Sequence, residues 1–459
     1  TNVRRPAGAL CSRLSAALVW TLLLAGPAEA GQPAAAQPPV VLSLERAIAL
    51  ALDRNRDLLI AAEDRSKANA QINEARSSAL PSLDLSANYT RNIQIPVLFL
   101  PPNSPINPTS STAEFEIGSN NSYYIGAALS QTLYSRKVRI ALDIAETYRD
   151  YAQEAYRGTE QAVVLAVKKA FYGALLAGKL VEANRQGLDI VRANFENVQS
   201  QYHNGTAAEY DMLRAEVEVA NTEPLLISAE NNLKLAKNSL KNLLSIPIEQ
   251  DMELEGDFAF RELPADSMDR ARRDAISRNA LVRELSLSEA IQQKNIGIER
   301  ANYFPKLSLI GAYSWQSQDN TFQFKNYNWA QTSSLGLQLS FPLFDGARAH
   351  ARIQEARGDY EKARLARLKA EEALRIQIES AELRMAEAAK RIKGQEKSID
   401  QARKAVHIAQ TRFASGVGTQ LELLDSQVAL TRAQSTYAQA VYDYLAAQAD
   451  WQFAVGLPQ

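Results

Sequence analysis

The chain repeats itself, and this internal duplication limits the folds open to it more than any other feature. LPSLDL at 80–85 returns as FPKLSL at 304–309, a shift of 224 positions. Further along, YHNG at 202–205 returns as FASG at 413–416, a shift of 211 positions. Because the matches keep the same order, the sequence predicts two copies of one structural unit.

The repeat matches and the turn-forming residues divide the chain into five segments. We expect a signal peptide at 1–30, a flexible segment at 31–43, a first repeat at 44–247, a connector at 248–266 and a second repeat at 267–459. Each repeat should contain a helix, two strands joined by a loop, a long helix and a further helix. The first helix of each copy is expected to run unbroken, over about 44–79 and about 267–303, until a proline ends it.

The segments that follow these prolines alternate between apolar and polar residues. Leu83, Leu85, Ala87 and Tyr89 fall on one face in the first copy, and the return strand at 335–343 alternates in the same way. Strands of about 10 to 12 residues are long enough to cross a membrane when tilted. Four strands are too few to close a barrel, so the sequence predicts assembly with further copies of the chain.

The N-terminus has the three parts of a secretory signal. Arg4 and Arg5 precede an apolar run at 14–25, and a small-x-small cleavage motif follows at 28–30. No later stretch of about 20 apolar residues occurs, which argues against membrane-spanning helices. The only cysteine, Cys11, lies before the apolar run, so the mature chain is expected to contain no disulfide and no cysteine-bound metal.

Two very long helices are predicted, at about 135–202 and 348–413. Each would be roughly 100 Å long at 1.5 Å per residue. In the second, large apolar residues recur every seven positions, as in a coiled-coil seam. They are Ile378, Met385, Ile392, Ile399, Val406 and Phe413.

Each long helix is expected to end at a glycine, Gly205 or Gly416, where the chain turns into the next helix. Just past the second turn, Glu422 and Asp425 share one helical face, and Asp211 follows the first turn. These carboxylates have two interpretations that stay open here. They could be helix-start charges that complement the helix dipole, or, in a symmetric oligomer, an acidic ring around the axis.

Composition argues against other functional classes. The formal net charge of −1 gives no basic surface for nucleic acid. The three histidines, His203, His350 and His407, have no metal-ligand or catalytic-triad spacing, and no phosphate-binding glycine loop occurs. We therefore expect no enzyme activity, no cofactor and no metal site.

Several motifs in one order give the chain a family resemblance. They are LSLERAI at 42–48, the two strand entries at 80–83 and 304–307, FPLFDG at 341–346, and Arg412-Phe413 followed by Gly416 and by Glu422 to Asp425. Together they resemble the TolC-like outer membrane efflux proteins. The resemblance implies a mainly α subunit with four transmembrane strands, which closes a 12-stranded β-barrel and an α-helical tunnel as a homotrimer.

The same resemblance implies a place in a larger machine. Such channels sit in outer-membrane lipid with the tunnel in the periplasm, and they dock a periplasmic membrane-fusion adaptor and an inner-membrane pump of the RND or ABC type. The expected function is passive export in drug or metal efflux, or in type I secretion of polypeptides. The competing interpretation is a periplasmic coiled-coil scaffold or adaptor that does not span the membrane.

By position, the resemblance also assigns roles to individual residues. Glu422, Asp425 and Asp211 resemble the channel constriction. The adaptor-contacting tips would include Tyr202, Gly205, Arg412, Phe413 and Gly416. The chain departs from the family where an aromatic hydroxyl and a basic side chain tie the tip shut, because Phe413 and Gly418 stand at those positions.

Overall fold

The computed structural model describes residues 40–322 and 327–457. The predicted signal peptide at 1–30, and residues 31–39 of the segment expected to be flexible, lie outside the described residues. The helices are α1 Leu44–Arg54, α2 Arg56–Ser77, α3 Arg136–His203, α4 Glu209–Leu243, α5 Ala265–Arg278, α6 Ala280–Arg300, α7 Arg348–Ala414 and α8 Gln420–Ala454. The strands are β1 Val40–Leu42, β2 Ser82–Arg91, β3 Val97–Leu100, β4 Ala113–Glu116, β5 Asn121–Tyr134, β6 Met252–Leu254, β7 Lys306–Asp319 and β8 Ala330–Ser340.

The two long helices are present as predicted, with 68 residues in α3 and 67 in α7. Ser135 caps α3, since its hydroxyl accepts a hydrogen bond from the backbone N–H of Val138. The carboxylate of Asp345 accepts a hydrogen bond of 2.8 Å from the Ala349 N–H at the start of α7. Four of the predicted seam residues of α7 are buried, namely Ile378, Met385, Ile392 and Val406.

The four membrane-length strands form one antiparallel sheet in the order β2-β5-β7-β8. Leu83 pairs with Leu129 in β5, and Leu309 in β7 pairs with Leu337 in β8. Directly opposite residues point to the same side of a sheet, so the register puts the alternating leucines of the four strands on one face, whereas Ile310 lies on the other. This face is open: Leu85 is 77% exposed and Leu337 is 67% exposed in the single chain.

The first helix of each repeat is not continuous, and the expectation of unbroken helices was wrong. The breaks fall at Asn55 and Asn279, which occupy equivalent positions in the two copies. Each asparagine side chain caps the helix that follows, and its amide nitrogen donates to a carbonyl at the end of the last helix of its own repeat. The acceptors are Leu243 at 2.9 Å and Ala454 at 3.1 Å. A strong N-cap with a tertiary partner therefore outweighs helix continuity.

Two further segments differ from expectation. Val40–Leu42, the end of the segment expected to be flexible, pairs in parallel with Met252–Leu254 of the connector, and Leu42 is only 1% exposed. The longer loop of the first repeat contains a small antiparallel hairpin in which Val97 pairs with Glu116. Both pairings are short. The partner of β1 is distant in the sequence, and the hairpin strands alternate only weakly between apolar and polar residues, so local periodicity does not reveal either pairing.

The helices pack side by side in one layer. Near the sheet the neighbours run α2-α3-α6-α7, and toward the other end they run α4-α3-α8-α7. Where the repeats meet, the Lys168 Nζ donates to the Gln452 side-chain oxygen at 2.8 Å, and burial lowers the pKa of this lysine. No helix in the described parts of the chain combines the length and hydropathy needed to span a bilayer.

Candidate functional site at the hairpin tips

The two hairpin tips have the same backbone turn, as the sequence predicts. Gly205 and Gly416 both have φ near +72°, a left-handed conformation that glycine adopts without strain. The N–H of Gly205 donates to the Tyr202 carbonyl at 2.9 Å, and the N–H of Gly416 donates to the Phe413 carbonyl at 3.0 Å. The duplication therefore extends to the hydrogen bonds of the turns.

The second tip contains an ion pair that the sequence did not predict. The Arg412 Nε lies 3.5 Å from the Glu422 Oε2, and the two side chains are 51% and 49% exposed. The Thr419 hydroxyl accepts a hydrogen bond from the Glu422 N–H and so caps α8. Glu422 therefore lies in the first turn of α8, as the helix-start interpretation expects, and it also pairs with an arginine across the turn.

Position 418 requires glycine because there is no room for a Cβ atom, and not because of its backbone torsion angles. A Cβ atom at this position would lie 2.8 Å from the Arg412 Cβ and 3.0 Å from the Phe413 nitrogen. The Gly418 N–H donates to the Arg412 carbonyl at 2.9 Å, which draws the turn tight. A side chain fits here only if the backbone moves, so a basic residue like the one expected from the family resemblance is incompatible with this turn.

The two aspartates stand apart from this ion pair. Asp425 is exposed on α8, and Asp211 is partly buried in the first turn of α4. Within the described residues, no hydrogen bond or ion pair links either carboxylate to another side chain. The predicted constriction residues are therefore not joined to one another by such bonds within a single subunit.

The two predicted tip aromatics have different surroundings. Phe413 lines a cavity of about 620 Å³ between α3, α7 and the start of α8. Tyr202 is 37% exposed, and its ring makes an edge contact with the His203 ring. Phe413 therefore contributes to packing between the hairpins, whereas Tyr202 lies at the surface.

Sequence reasoning missed a group of buried amide side chains behind the tips. Asn194 and Gln427 are each 4% exposed, Gln420 is 7% exposed, and none of their side-chain polar atoms has a hydrogen-bond partner within the described residues. Asn194 and Gln427 line the 620 Å³ cavity, and Gln427 also lines a second one of about 240 Å³ between α3, α4 and α8. We call the α3–α8 contact around Asn194, Gln420 and Gln427 the amide seam.

The signal for the amide seam is present in the sequence. Gln420, Gln427 and Gln434 are seven residues apart and therefore lie on one face of α8. Gln434 continues the seam by donating to Gln186 of α3 at 3.4 Å. This polar heptad alone does not predict burial, because glutamine is normally expected on a solvated face.

Comparison with known proteins places these features in a family. The family model described as outer membrane efflux protein matches residues 47–245 and again 271–457, one match for each repeat. The alkaline protease secretion protein AprF of Pseudomonas aeruginosa is 27% identical over 434 residues, which cover 91% of this chain and 87% of AprF. The outer membrane protein TolC of Vibrio cholerae is 22% identical over 410 residues, covering 88% of this chain and 89% of TolC.

Solved structures agree at the level of the fold. The outer membrane channel CmeC of Campylobacter jejuni superposes with a TM-score of 0.74 at 18% identity, covering 90% of this chain and 85% of CmeC. The outer membrane protein VceC of Vibrio cholerae gives a TM-score of 0.72 at 18% identity, covering 90% of this chain and 96% of VceC. These relatives favour the predicted export channel over the scaffold interpretation. The chain therefore belongs to the outer membrane efflux protein family, whose members are channels of the outer membrane.

Proposed function

We propose that three copies of this chain assemble into a passive export duct, with a 12-stranded barrel in the outer membrane and a helical tunnel in the periplasm. The single observation that carries the proposal is the sheet β2-β5-β7-β8, whose two outer strands each lack a strand partner on one side among the described residues. An open strand edge in lipid would leave backbone N–H and C=O groups unsatisfied. Pairing β8 of one subunit with β2 of the next removes every such edge.

The helical layer supports the same assembly. Its edges are α7 on one side and α2 with α4 on the other. Both edges carry exposed apolar side chains: Leu213 and Val217 of α4 are 48% and 57% exposed, and Ile376 and Leu383 of α7 are 67% and 65% exposed. Apolar residues at both edges of one layer are suited to contact between sister subunits.

The hairpin tips are the proposed contact for a periplasmic membrane-fusion adaptor, which would connect the duct to an RND or ABC pump. Relatives named for protease secretion and for solvent efflux both match this chain, so the proposed role covers type I secretion and efflux alike. The duct itself would have no enzyme activity, because the energy for transport comes from the pump. In the trimer, Glu422, Asp425 and Asp211 would recur around the axis and form the acidic constriction.

Disulfide trapping tests the trimer. The only natural cysteine, Cys11, lies in the predicted signal peptide. Any disulfide in the processed chain must therefore join two introduced cysteines. Ser86→Cys in β2 is combined in turn with Thr332→Cys, Ser334→Cys or Gln338→Cys on the polar face of β8. We expect one pair to give covalent dimers and trimers on oxidation, because facing strand residues bring their Cβ atoms within reach of a disulfide.

A matched pair inside one subunit provides the control. Asp84 of β2 lies opposite Ala128 of β5, so Asp84→Cys with Ala128→Cys should form a bond within the monomer. Absence of crosslinks for all three β2–β8 pairs, or a ladder that extends beyond three subunits, would refute the proposed trimer.

A further inference from the structure

A groove of about 900 Å³ lies where β5 joins the long helix α3. Its lining includes Ala79 just beyond α2, the end of β5 at Leu133 and Tyr134, and the first turns of α3 with Arg136 and Arg139. The residues that line the groove all come from one subunit, and the helix next to α3 on the side of Ala79 is the edge helix α2.

One side of the groove continues the apolar face of the sheet. Tyr134 pairs with Leu307 and so shares the face that carries the exposed leucines. Leu133 and Tyr134 are 49% and 51% exposed. The groove therefore opens at the depth where the lipid-facing surface ends and the helical tunnel begins.

The other side of the groove carries positive charge without a partner. Among the described residues, no carboxylate forms an ion pair with Arg136 or Arg139. The Arg136 guanidinium lies over the Phe304 ring, 4.1 Å from its centroid, which holds the side chain beside the groove. The carboxylate in the lining, Asp143, is already bound to the Lys294 Nζ at 2.9 Å.

The second repeat has the same chemistry at its own strand-to-helix junction. Phe341, Leu343 and Phe344 are 53%, 88% and 89% exposed. Arg348 and Arg352 follow, and neither forms an ion pair within the described part of the chain. The order of residues differs between the repeats, yet both place apolar side chains and unpaired arginines at the same depth.

We propose that the groove at the β5–α3 junction binds the headgroup of an anionic phospholipid from the inner leaflet of the outer membrane. Arg136 and Arg139 would contact the phosphate through charge-assisted hydrogen bonds, and Leu133 and Tyr134 would lie along the acyl chains. The inference rests on the proposed membrane barrel. In a trimer, three such grooves would help to fix the depth of the barrel in the membrane by binding charged headgroups. This would add to the contact between the apolar outer face of the barrel and the hydrocarbon core.

Native mass spectrometry of the purified full chain in detergent tests this site. The protein is titrated with dioleoyl phosphatidylglycerol or with dioleoyl phosphatidylcholine, and the bound lipid is counted. Arg136→Gln with Arg139→Gln should weaken binding of phosphatidylglycerol about 30-fold, since each arginine near an anionic headgroup contributes about fivefold. Binding of phosphatidylcholine should change little.

Lys179→Gln with Arg185→Gln removes the same charge from α3 and serves as the control. Both of these cations are exposed and already paired, with Glu182 at 2.9 Å and Glu230 at 2.8 Å. Their loss should leave lipid binding within about twofold of the original, because exposed ion pairs contribute little.

The outcomes separate the site from the barrel. Equal retention of both lipids by the original chain, or the same loss in the control variant, would overturn the lipid site and leave the barrel standing. A weakened trimer with unchanged lipid binding would assign the arginines to subunit contact and also overturn the site. A chain that stays soluble without detergent and retains neither lipid would overturn the barrel as well.

Discussion

The amide seam leads to a prediction about how firmly the tip is closed. Asn194→Leu and Gln427→Met replace two buried amides by apolar groups of similar size. Neither original side chain has a hydrogen-bond partner within the described residues. Each substitution should therefore stabilise the packed seam by about 2 kcal/mol, the cost of a buried polar group left unpaired.

Hydrogen exchange measures this effect locally. Backbone amides near Asn194 and Gln427 exchange through local opening of their helices, which also loses the α3–α8 contact. A stabilisation of about 2 kcal/mol should therefore slow their exchange about 30-fold in either single variant. The same variants should conduct less often in single-channel recordings, because we expect opening of the proposed duct to move the hairpin tips and so to break this more stable contact. Exchange is followed by mass spectrometry on the assembled protein.

A surface amide on the same helix is the matched control. Gln439 is exposed, and its side chain donates to Asp443 at 2.8 Å. Gln439→Leu should leave exchange at the seam within about twofold, as expected of surface substitutions. Unchanged or faster exchange in Asn194→Leu and Gln427→Met would refute the reasoning, because it would mean that the amides stabilise the seam.

Three further predictions concern the tips and the helix breaks. Glu422→Ala with Asp425→Ala should weaken block by divalent cations in single-channel recordings, because it removes the proposed ring charge; unchanged block would exclude these residues from the constriction. Gly418→Ala should destabilise the tip by about 1–3 kcal/mol through overpacking, whereas Gly394→Ala, with open space around its Cβ position, should be neutral or stabilising in chemical unfolding. Asn279→Ala should lower the free energy of unfolding by about 1–3 kcal/mol, because it removes a helix cap and leaves the Ala454 carbonyl without this donor; no measurable loss would contradict the role of the break.

Much of the architecture follows from local pattern. The alternating strands, the apolar heptads and the tip glycines all act over a few neighbouring residues, the duplication is visible as matching motifs, and the predicted fold class is confirmed. The breaks at Asn55 and Asn279 were missed because the surrounding residues favour helix on both sides. What ends each helix is a distant carbonyl, and no window along the chain contains it.

The site was predictable only in part, for a similar reason. Gly205 and Gly416 are determined by the turn itself, so sequence alone identifies them. The pairing of Arg412 with Glu422 depends on the angle between two helices, and the burial of Asn194 depends on how α3 meets α8. Their roles are set by packing between elements, which residue type and spacing do not specify.

The small hairpin of β3 and β4 belongs to the first repeat, and the connection between β7 and β8 in the second repeat is shorter. In a trimer, the helices would consequently approach sixfold symmetry while the outer mouth would keep only a threefold axis. A partner that recognises the end of a hairpin would find six similar binding sites on the tunnel. A molecule that arrives from outside the cell would instead find three copies of the β3–β4 hairpin.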